Sequence, residues 1–345
     1  MSDSHQIRPL LGLDPDALRD ITLEAGLPAF TGKQLARWLY VRRARSIEEM
    51  TDISKAGREK LAQSYTTGLV MPLGSQTSKD GTRKYLFPVA GDSTNAVEAV
   101  MIPDGDRKTV CVSSQAGCKM GCHFCMTGRQ GFHGNLTAAE ILSQLLAIDE
   151  AADITNVVFM GMGEPLENWE EVKKAIDILC APWGFAWSPK RVTLSTIGVL
   201  PRLKRFLVES KCHLAVSLHN PFHEERLEMM PSEKAWPLES IIDLIKQYDF
   251  TGQRRVSFEY TLFGGWNDSP RHADALIRAL RGLECRVNLI RFHRIPDFPY
   301  ATDSPEKMEA FRQRLEKGGL TATIRASRGE DIMAACGLLA GQIRK

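Results

Sequence analysis

The strongest constraint on the fold is an alternation that begins near residue 108. Short apolar runs of strand length are separated there by longer amphipathic stretches of helical period. Six or more such units in series predict an α/β fold with a parallel sheet, either doubly wound or rolled into a full or partial barrel. In each arrangement ligands bind at the carboxyl ends of the strands. The apolar runs are KTVCVSSQ (108–115), ITNVVFMG (154–161), RVTLSTIG (191–198), HLAVSLH (213–219), RRVSFEYTLF (254–263) and CRVNLIRF (285–292), and the helical stretches include 137–151, 168–181, 237–249 and 269–282.

The first hundred residues follow two other patterns. Stretches 14–26, 31–43 and 54–65 place apolar residues at helical spacing behind a Thr, Ser or Asp, which predicts short helices. Residues 83–104 alternate between apolar and polar, which predicts a β-ribbon with turns at AGDST and PDGD. These patterns divide the chain into a helical domain (1–75), a ribbon (76–107), the βα series (108–330) and a C-terminal segment (331–345).

Composition limits the class of protein and its compartment. The 345 residues, 43% of them hydrophobic, can fill a large core, and the net charge is only +2. The charge is uneven, however, since residues 28–60 hold eight Lys or Arg against four Asp or Glu. No apolar run reaches membrane-spanning length, and the start MSDSHQIRPL lacks the apolar core of a signal peptide. We therefore expect a cytoplasmic protein without a membrane partner, in which clustered thiols bind metal or do chemistry.

Three cysteines follow the first predicted strand at the spacing C-x3-C-x2-C, namely Cys118, Cys122 and Cys125. A structural zinc site has four protein ligands, and the nearby candidates for the fourth are His123 and His133. A four-iron cluster held by three cysteines instead leaves one iron without a protein ligand, and such an open position suits substrate binding. The pattern favours an iron–sulfur cluster, with a zinc loop as the alternative.

Polar residues end three further predicted strands. Gly163 and Glu164 follow the second run, Ser195 ends the third, and Ser217 with His219 ends the fourth. Glycines in such a loop let the backbone approach a ligand, and Glu164 can accept a hydrogen bond from an ammonium group. Each residue alone is an ordinary turn or capping residue. Together, at successive strand ends, they favour one shared pocket.

The cysteine spacing, with Phe124 just before the third cysteine and a position after the first strand of a βα series, resembles the radical S-adenosylmethionine (SAM) superfamily. That resemblance implies a partial (βα)6 barrel whose three cysteines bind a [4Fe–4S] cluster. It also implies that the open iron binds SAM. One electron from the cluster would then cleave SAM to a 5′-deoxyadenosyl radical.

Longer motifs extend over nearly the whole chain, including the N-terminal helices. They are FTGKQLARWLY, EEMTDISKAGREKL, CVSSQAGCKMGCHFCMTGRQGF, ITNVVFMGMGEPLEN, RVTLSTIGV, LAVSLH and TIRASRGEDIMAACGLLAG. Together they resemble the radical SAM RNA adenine methyltransferases of the RlmN/Cfr family. The chemistry and site residues given next are what this resemblance implies.

In that family one SAM methylates a cysteine near the C-terminus, and a radical made from a second SAM removes hydrogen from the methyl group. The carbon radical attacks an electron-poor adenine carbon and joins RNA to protein. A second cysteine then resolves the adduct by forming a transient disulfide. The resemblance implies Cys336 as the methyl carrier and Cys111 as the resolving residue, whereas Cys180, Cys212 and Cys285 are expected to be inert.

The resemblance also assigns a base and the contacts to SAM. Glu98 matches the family's proton acceptor, although a single Glu on an alternating ribbon is normally solvent-facing. His293 stands where close relatives have an asparagine, and Met160 is expected either beside Cys336 or in the core. The implied SAM contacts are Gly163, Glu164, Ser195, Ser217, Leu218, His219 and His293.

The implied reaction is methylation of adenine carbon 2 in 23S rRNA, with some family members also acting on tRNA. The base would have to be unstacked and extruded. Methylation of carbon 8 of the same base uses the same cluster and cysteine pair, so the motifs leave it open. A non-catalytic iron–sulfur or zinc protein that binds RNA or senses redox state is a third reading, with no use for Cys336. We also expect a flavodoxin-like reductant, a monomer, and RNA binding by the basic helices and by Arg278, Arg281, Arg286, Arg291 and Arg294.

Overall fold

The structure is a computed structural model that describes residues 7–250, 252 and 254–341. The predicted N-terminal and C-terminal segments include residues 1–6 and 342–345, which lie outside the described residues, as does most of the stretch MSDSHQIRPL. The predicted domain boundaries at residues 75, 107 and 330 stay a prediction.

The N-terminal part confirms the three predicted helices. Asp14 and Ser54 cap the first and third helices by accepting hydrogen bonds from the backbone N–H groups of Ala17 and Gly57. The second helix continues into a π-helical turn over Arg37–Val41. The elements are β1 (Arg8–Pro9), α1 (Pro15–Glu24), α2 (Thr31–Ala36), α3 (Lys55–Ala62) and β2 (Tyr65–Thr66), with β1 and β2 paired in parallel.

The predicted ribbon is an antiparallel meander that leads directly into the main sheet. It consists of β3 (Gly74–Thr77), β4 (Arg83–Val89) and β5 (Asp92–Asp104), and β5 pairs with the first parallel strand. The two predicted turns are confirmed, with Gly91 and Gly105 at positive φ in them. Tyr85 and Phe87 are buried on one face of β4, as its alternation requires.

Seven parallel strands form the rest of the sheet, and their spatial order equals their order in the chain. The six predicted strands are confirmed, and a seventh that was not predicted follows them. The strands are β6 (Arg107–Cys111), β9 (Asn156–Phe159), β10 (Val192–Thr196), β11 (His213–Ser217), β12 (Val256–Gly264), β13 (Arg286–Arg291) and β15 (Thr321–Ile324). Three short strands lie outside this series, namely β7 (Gln115–Gly117) paired with β8 (Phe132–Asn135), and β14 (Ala301–Thr302) paired with β12.

Helices connect the parallel strands. The strand order never reverses, which distinguishes a barrel-type sheet from the doubly wound alternative. Within the described residues β15 pairs only with β13, so the barrel is partial, as predicted. No helix in the described ranges is long and apolar enough to cross a membrane. The helices are α4 (Met126–Arg129), α5 (Ala138–Leu146), α6 (Trp169–Cys180), α7 (Leu200–Glu209), α8 (His223–Met229), α9 (Leu238–Lys246), α10 (Pro270–Ala279) and α11 (Pro305–Lys317).

Period-two alternation decides which side chains enter the barrel. In β10, Val192, Leu194 and Thr196 are buried, whereas Thr193 and Ser195 are half-buried and line interior cavities. The same strand thus presents one face to the helices and the other to the site. The residues that follow β10 in the chain lie at the carboxyl edge of the sheet.

Asn168, just before α6, joins three segments near this edge. Its side-chain amide donates to the backbone carbonyls of Ser114 (2.8 Å) and Leu136 (2.7 Å), and all three residues are buried. Removing the amide leaves the buried Leu136 carbonyl without a donor, and it leaves the Ser114 carbonyl with only the Leu136 N–H (3.1 Å). Buried polar groups that lose their partners cost folding free energy.

We therefore expect Asn168→Ala to lower the free energy of unfolding by about 3 kcal/mol in urea titrations. The matched control is Asn156→Ala, since Asn156 is only half-buried and accepts one hydrogen bond from the Thr155 hydroxyl, which can donate to the Lys108 carbonyl instead (3.1 Å). This control should cost less than about 1 kcal/mol. Equal losses for the two variants would contradict the structural role given to Asn168.

Candidate active site

A cavity of about 170 Å³ lies at the carboxyl ends of the parallel strands. Its walls come from the segments that follow β6, β9, β10 and β11, from β12 and β13, and from the chain beyond β15. Most of the predicted site residues meet here. Those lining the cavity are Cys118, Cys122, Cys125, Gly163, Glu164, Ser195, Ser217, His219 and Cys336.

The loop that carries the three cysteines is closed at its base by the β7–β8 pair. Cys118 N–H donates to the Gly131 carbonyl at 2.8 Å, and Cys125 N–H donates to the Cys122 carbonyl at 3.1 Å. Gly117 has φ +69°, and a Cβ there would lie 1.9 Å from the Gly131 oxygen. Only glycine therefore permits this closure, which directs the three thiols into one cavity.

The donor set suits a positively charged cluster. Burial raises the pKa of Cys118 to about 12 and that of Cys122 well above its ordinary value, and neighbouring cysteines add to both rises. Bound iron would reverse this penalty by stabilising the thiolates. Within the described ranges no three such side chains converge on a single ion position. A four-iron cluster is wider than one ion and does not require them to do so.

Neither histidine proposed as a fourth zinc ligand lines the cavity. His123 is exposed and borders a different cavity, together with Arg129 and Tyr300. His133 lies exposed on β8. The zinc alternative therefore lacks both of its proposed histidine ligands, whereas the three thiols lie together at the cavity.

The hydroxyls of Ser195 and Ser217 are free to bind a ligand. Each residue lines the cavity, and in the described part of the chain neither hydroxyl has a hydrogen bond to protein. The alternative interpretation of these residues, as caps or turn formers, required such a bond. Two unpaired hydroxyls at neighbouring strand ends are available to a polar cofactor.

Glu164 ties the loop after β9 to the end of β10. Its buried carboxylate accepts hydrogen bonds from the Thr196 hydroxyl (2.7 Å) and from the N–H groups of Ile197 and Leu166 (3.0 Å each). Burial raises its pKa to about 7, and these bonds oppose the rise. Glu164 therefore holds the wall of the cavity as well as lining it.

Gly161 and Gly163, just before Glu164, pack closely against the segment after β6. A Cβ on Gly161 would lie 2.7 Å from the Val112 carbonyl, and one on Gly163 would lie 2.8 Å from the Gln115 nitrogen. Gly163 also has φ +99°. The segment after β6 thus requires glycine at both positions. Both glycines also line the cavity, so their predicted approach to a ligand stays a prediction.

His219 is held as a neutral ring. Its Nδ1 accepts a hydrogen bond from the Thr261 N–H at 3.0 Å, so the proton resides on Nε2. Burial lowers its pKa to about 3, and the guanidinium of Arg226 adds to the effect. The ring packs edge-on against Phe124, with centroids 4.9 Å apart. His219 can therefore donate a hydrogen bond into the cavity but carries no charge there.

Arg226 is a site residue that sequence reasoning missed. It is buried, pairs with Glu233, and donates to the carbonyls of Ser217 (3.0 Å) and Leu218 (2.9 Å). It thereby fixes the backbone turn that presents Ser217 and His219. No spacing rule marks it, because its partner lies beyond the end of α8.

Cys336 meets the cluster loop and Cys111 across the fold. Cys336 lines the cavity and is exposed to it. Burial raises the pKa of Cys111 to about 12, and the neighbouring Cys336 thiol adds to that rise. Burial also raises the pKa of Cys336, and the guanidinium of Arg325 opposes this. Arg325, also missed, pairs with Glu259 at 3.4 Å.

Met160 lines the same cavity as Cys336 and also packs against the hydrophobic core. Its sulfur is 3.6 Å from Arg325 Nη1.

Four predicted residues do not line this cavity. One is Cys111, which is buried at the end of β6. Leu218 has no exposed surface, and its backbone N–H and carbonyl are bonded to the Glu259 carbonyl and to Arg226. His293 is buried beyond the end of β13, where Nε2 lies 3.1 Å from the Ser327 hydroxyl. Glu98 is buried on β5, which corrects the expectation of a solvent-facing side chain. Their assigned roles stay predictions.

Comparisons with known proteins agree with this geometry. The radical SAM superfamily model matches residues 112–276, and the ribosomal RNA large subunit methyltransferase N-terminal domain matches residues 9–66. The chain is 58% identical over 330 residues to a probable dual-specificity RNA methyltransferase RlmN of Porphyromonas gingivalis, covering 96% of each chain. It is 42% identical to the dual-specificity RNA methyltransferase RlmN of Syntrophus aciditrophicus, covering 94% of this chain and 96% of the relative.

The chain belongs to the RlmN family of radical SAM RNA methyltransferases. A solved radical SAM methyltransferase from Sphaerobacter thermophilus has the same fold, with a TM-score of 0.91 and 37% identity over 97% of this chain and all of that one. Membership of the superfamily implies a [4Fe–4S] cluster and SAM, and Cys118, Cys122 and Cys125 are the residues that would hold the cluster.

The basic residues expected to bind RNA do not form one surface. Arg286 begins β13 and Arg291 ends it, so these two arginines lie at opposite ends of the barrel. In the N-terminal domain Arg43 donates to the Ala151 carbonyl at 2.5 Å and so docks that domain on the barrel. Arg37 and Arg42 remain exposed on the N-terminal helices. RNA binding by these basic residues stays a prediction.

The glycine contacts predict a graded effect on stability. Gly163→Ala should prevent accumulation of folded protein or lower the free energy of unfolding by more than about 3 kcal/mol, because its Cβ meets backbone. Gly91→Ala is the control, since Gly91 also has positive φ but no atom within 4 Å of the added Cβ. That variant should lose only about 1–2 kcal/mol. Urea titrations that give similar losses would contradict the packing role of Gly163.

Proposed function

We propose that this chain methylates carbon 2 of an adenine in 23S rRNA, with tRNA as a second substrate class, through an S-methylcysteine and a covalent protein–RNA adduct. The single observation that carries the proposal is the meeting of Cys336 with the three cluster cysteines at one cavity. Cys111, buried at the end of β6, lies close enough to Cys336 for the two thiols to interact electrostatically. A non-catalytic iron–sulfur or zinc protein has no use for that arrangement. The names of the relatives, dual-specificity RNA methyltransferases, support an RNA substrate.

The cavity residues would hold SAM and the cluster together. Ser195 and Ser217 offer free hydroxyls, His219 offers a neutral N–H, and the loop of Gly163 and Glu164 forms the adjoining wall. When bound, the cluster and SAM supply one-electron cleavage that makes a hydrogen-abstracting adenosyl radical. Two SAM molecules are used per turnover, one as methyl donor and one as radical source.

Cys336 carries the carbon to the substrate. Its thiolate accepts a methyl group from the first SAM, and hydrogen is then removed from that S-methyl group. The resulting S-methylene radical adds to adenine carbon 2, which lies between two ring nitrogens and is too electron-poor for ordinary methyl transfer. Arg325 is the cation near Cys336 that favours its thiolate form.

Cys111 releases the product. The adduct radical must lose one electron, for which the oxidised cluster would be the acceptor, together with the ring proton. The Cys111 thiolate then attacks the Cys336 sulfur, the sulfur–carbon bond breaks as the disulfide forms, and the released carbon takes up a proton to become a methyl group. The disulfide must be reduced before another turnover. A flavodoxin-like protein is the proposed source of the cluster electron, and the proposed state is a monomer.

The substrate adenine must leave its stack to reach this enclosed site. Enzymes that act on ring atoms bind an unpaired loop or extrude the base. The N-terminal domain, which matches the rRNA methyltransferase N-terminal model, is the proposed RNA contact through Arg37 and Arg42. This assignment concerns binding, and the chemistry remains in the barrel.

The product assay tests the whole proposal. Anaerobic protein with a reconstituted cluster, SAM, dithionite and a 23S rRNA fragment should give 2-methyladenosine on mass spectrometry of digested nucleosides. Cys336→Ala should abolish it, because no methyl carrier remains, while 5′-deoxyadenosine is still released. Cys285→Ala, away from this cavity, is the control. 8-Methyladenosine would reassign the product to carbon 8, and methylation that survives Cys336→Ala would refute the mechanism.

Cys111→Ala separates the second step from the first. Without the resolving thiol, we expect the covalent RNA–protein species to accumulate on denaturing gels, with methylated product reduced at least tenfold. Cys212→Ala is the cysteine control. Unchanged product release from Cys111→Ala would show that another group resolves the adduct.

A further inference from the structure

The segment that carries Cys336 is clamped from two sides. From here on, the C-terminal segment means the described residues 329–341, which include most of the predicted segment 331–345. On one side lies the ribbon β3–β5, and on the other lies the cysteine loop between β7 and β8. Its course includes Gly337 and Gly341 at positive φ, and a Cβ on Gly341 would lie 2.0 Å from the Ala96 carbonyl. The segment is thus fitted closely into its groove.

The cysteine loop holds one edge of the C-terminal segment. Met126 N–H donates to the Gly337 carbonyl at 2.8 Å, and the Thr127 hydroxyl donates to the Leu339 carbonyl at 2.8 Å. Gln130 donates to the Ala340 carbonyl at 2.5 Å. Hydrogen bonds from the loop that would hold the cluster thus reach the backbone carbonyls just after Cys336, the residue that would carry the methyl group.

Glu98 holds the other edge. Its Oε2 accepts a hydrogen bond from the Ala340 N–H at 2.9 Å, and its Oε1 pairs with Lys84 Nζ at 3.0 Å. The Glu98 and Lys84 side chains are only 9% and 13% exposed, so neither group is simply solvated at the surface. The neighbouring Ala96 N–H donates to the Gly341 carbonyl at 3.0 Å.

These contacts conflict with a role for Glu98 as the base that takes the adenine proton. A base must come within hydrogen-bond reach of the substrate. Glu98 does not line the cavity that contains Cys336, and each of its oxygens is already engaged with protein. Its partner Ala340 lies four positions after Cys336 in the chain.

We propose that Glu98, fixed by Lys84, is a positioning residue that latches the C-terminal segment and so sets the place of Cys336 for methyl acceptance. This rests on the proposed function of Cys336. A charge-assisted hydrogen bond in a buried place is stronger than a neutral one. A displacement of about 1 Å at a reacting atom can cost about a hundredfold in rate.

The two roles of Glu98 predict arrest at different steps. If Glu98 positions Cys336, Glu98→Ala slows formation of S-methylcysteine at least tenfold, as measured by intact-protein mass. If Glu98 is the base, Cys336 becomes methylated at the normal rate and the RNA adduct accumulates. Glu98→Gln keeps an acceptor for the Ala340 N–H. If the latch is correct, this variant should therefore methylate Cys336 faster than Glu98→Ala does. If Glu98 is the base, Glu98→Gln should accumulate the RNA adduct as Glu98→Ala does, because an amide cannot take the proton.

Lys84→Met tests the other half of the latch. It should slow methylation of Cys336 in the same direction as Glu98→Ala, since the carboxylate loses its fixed orientation. Lys108→Met is the matched control, because Lys108 pairs with Asp153 at 2.6 Å at the far end of β6 and does not touch the C-terminal segment. That variant should methylate Cys336 like the wild type.

Hydrogen exchange in the metal-free protein tests the latch without any activity. The peptide that contains residues 335–341 should exchange faster in Glu98→Ala and Lys84→Met than in the wild type or Lys108→Met. Unchanged exchange together with normal S-methylcysteine formation in Glu98→Ala would overturn the latch. Absence of S-methylcysteine from the wild type would instead refute the proposed function, while the exchange result would still decide the latch.

Discussion

Parallel pairing from β6 to β15 is the interaction on which the rest of the structure depends. Strands that all run in one direction must be connected by crossovers, so every strand ends at the same edge of the sheet. That edge collects the cysteine loop, the wall built by Glu164, and the hydroxyls of Ser195 and Ser217. A buried core beneath it makes the edge rigid enough to orient several groups at once.

Features with a local signal could be predicted from the sequence. The six strands have short apolar runs, and the three cluster cysteines lie within eight positions, so their proximity needs no knowledge of the fold. The half-buried alternation of β10 likewise places Ser195 inside the barrel from period-two spacing alone. The seventh strand, TATI, was missed because it is short and its outer residues are exposed.

The remaining parts depend on which elements meet. Cys111 and Cys336 are over 200 positions apart, and without the family resemblance each would be taken as an inert buried thiol. Glu98 has no local partner, since Lys84 lies across the ribbon and Ala340 at the other end of the chain. The packing role of Gly163 also depends on the fold, because its neighbour Gln115 lies on another segment.

The C-terminal segment also changes how the barrel should be regarded. Gly329 donates to Asp80 (3.0 Å) and Asp331 accepts from Ser78 (2.5 Å), so a segment that leaves β15 is fastened to the ribbon at the opposite end of the same sheet. The strands β6 to β15 remain a partial barrel, and hydrogen bonds of this segment, instead of strand pairing, connect the two ends of the sheet. A truncation before Cys336 would therefore remove the proposed methyl carrier and the hydrogen bonds of Ala340 and Gly341 to the ribbon together.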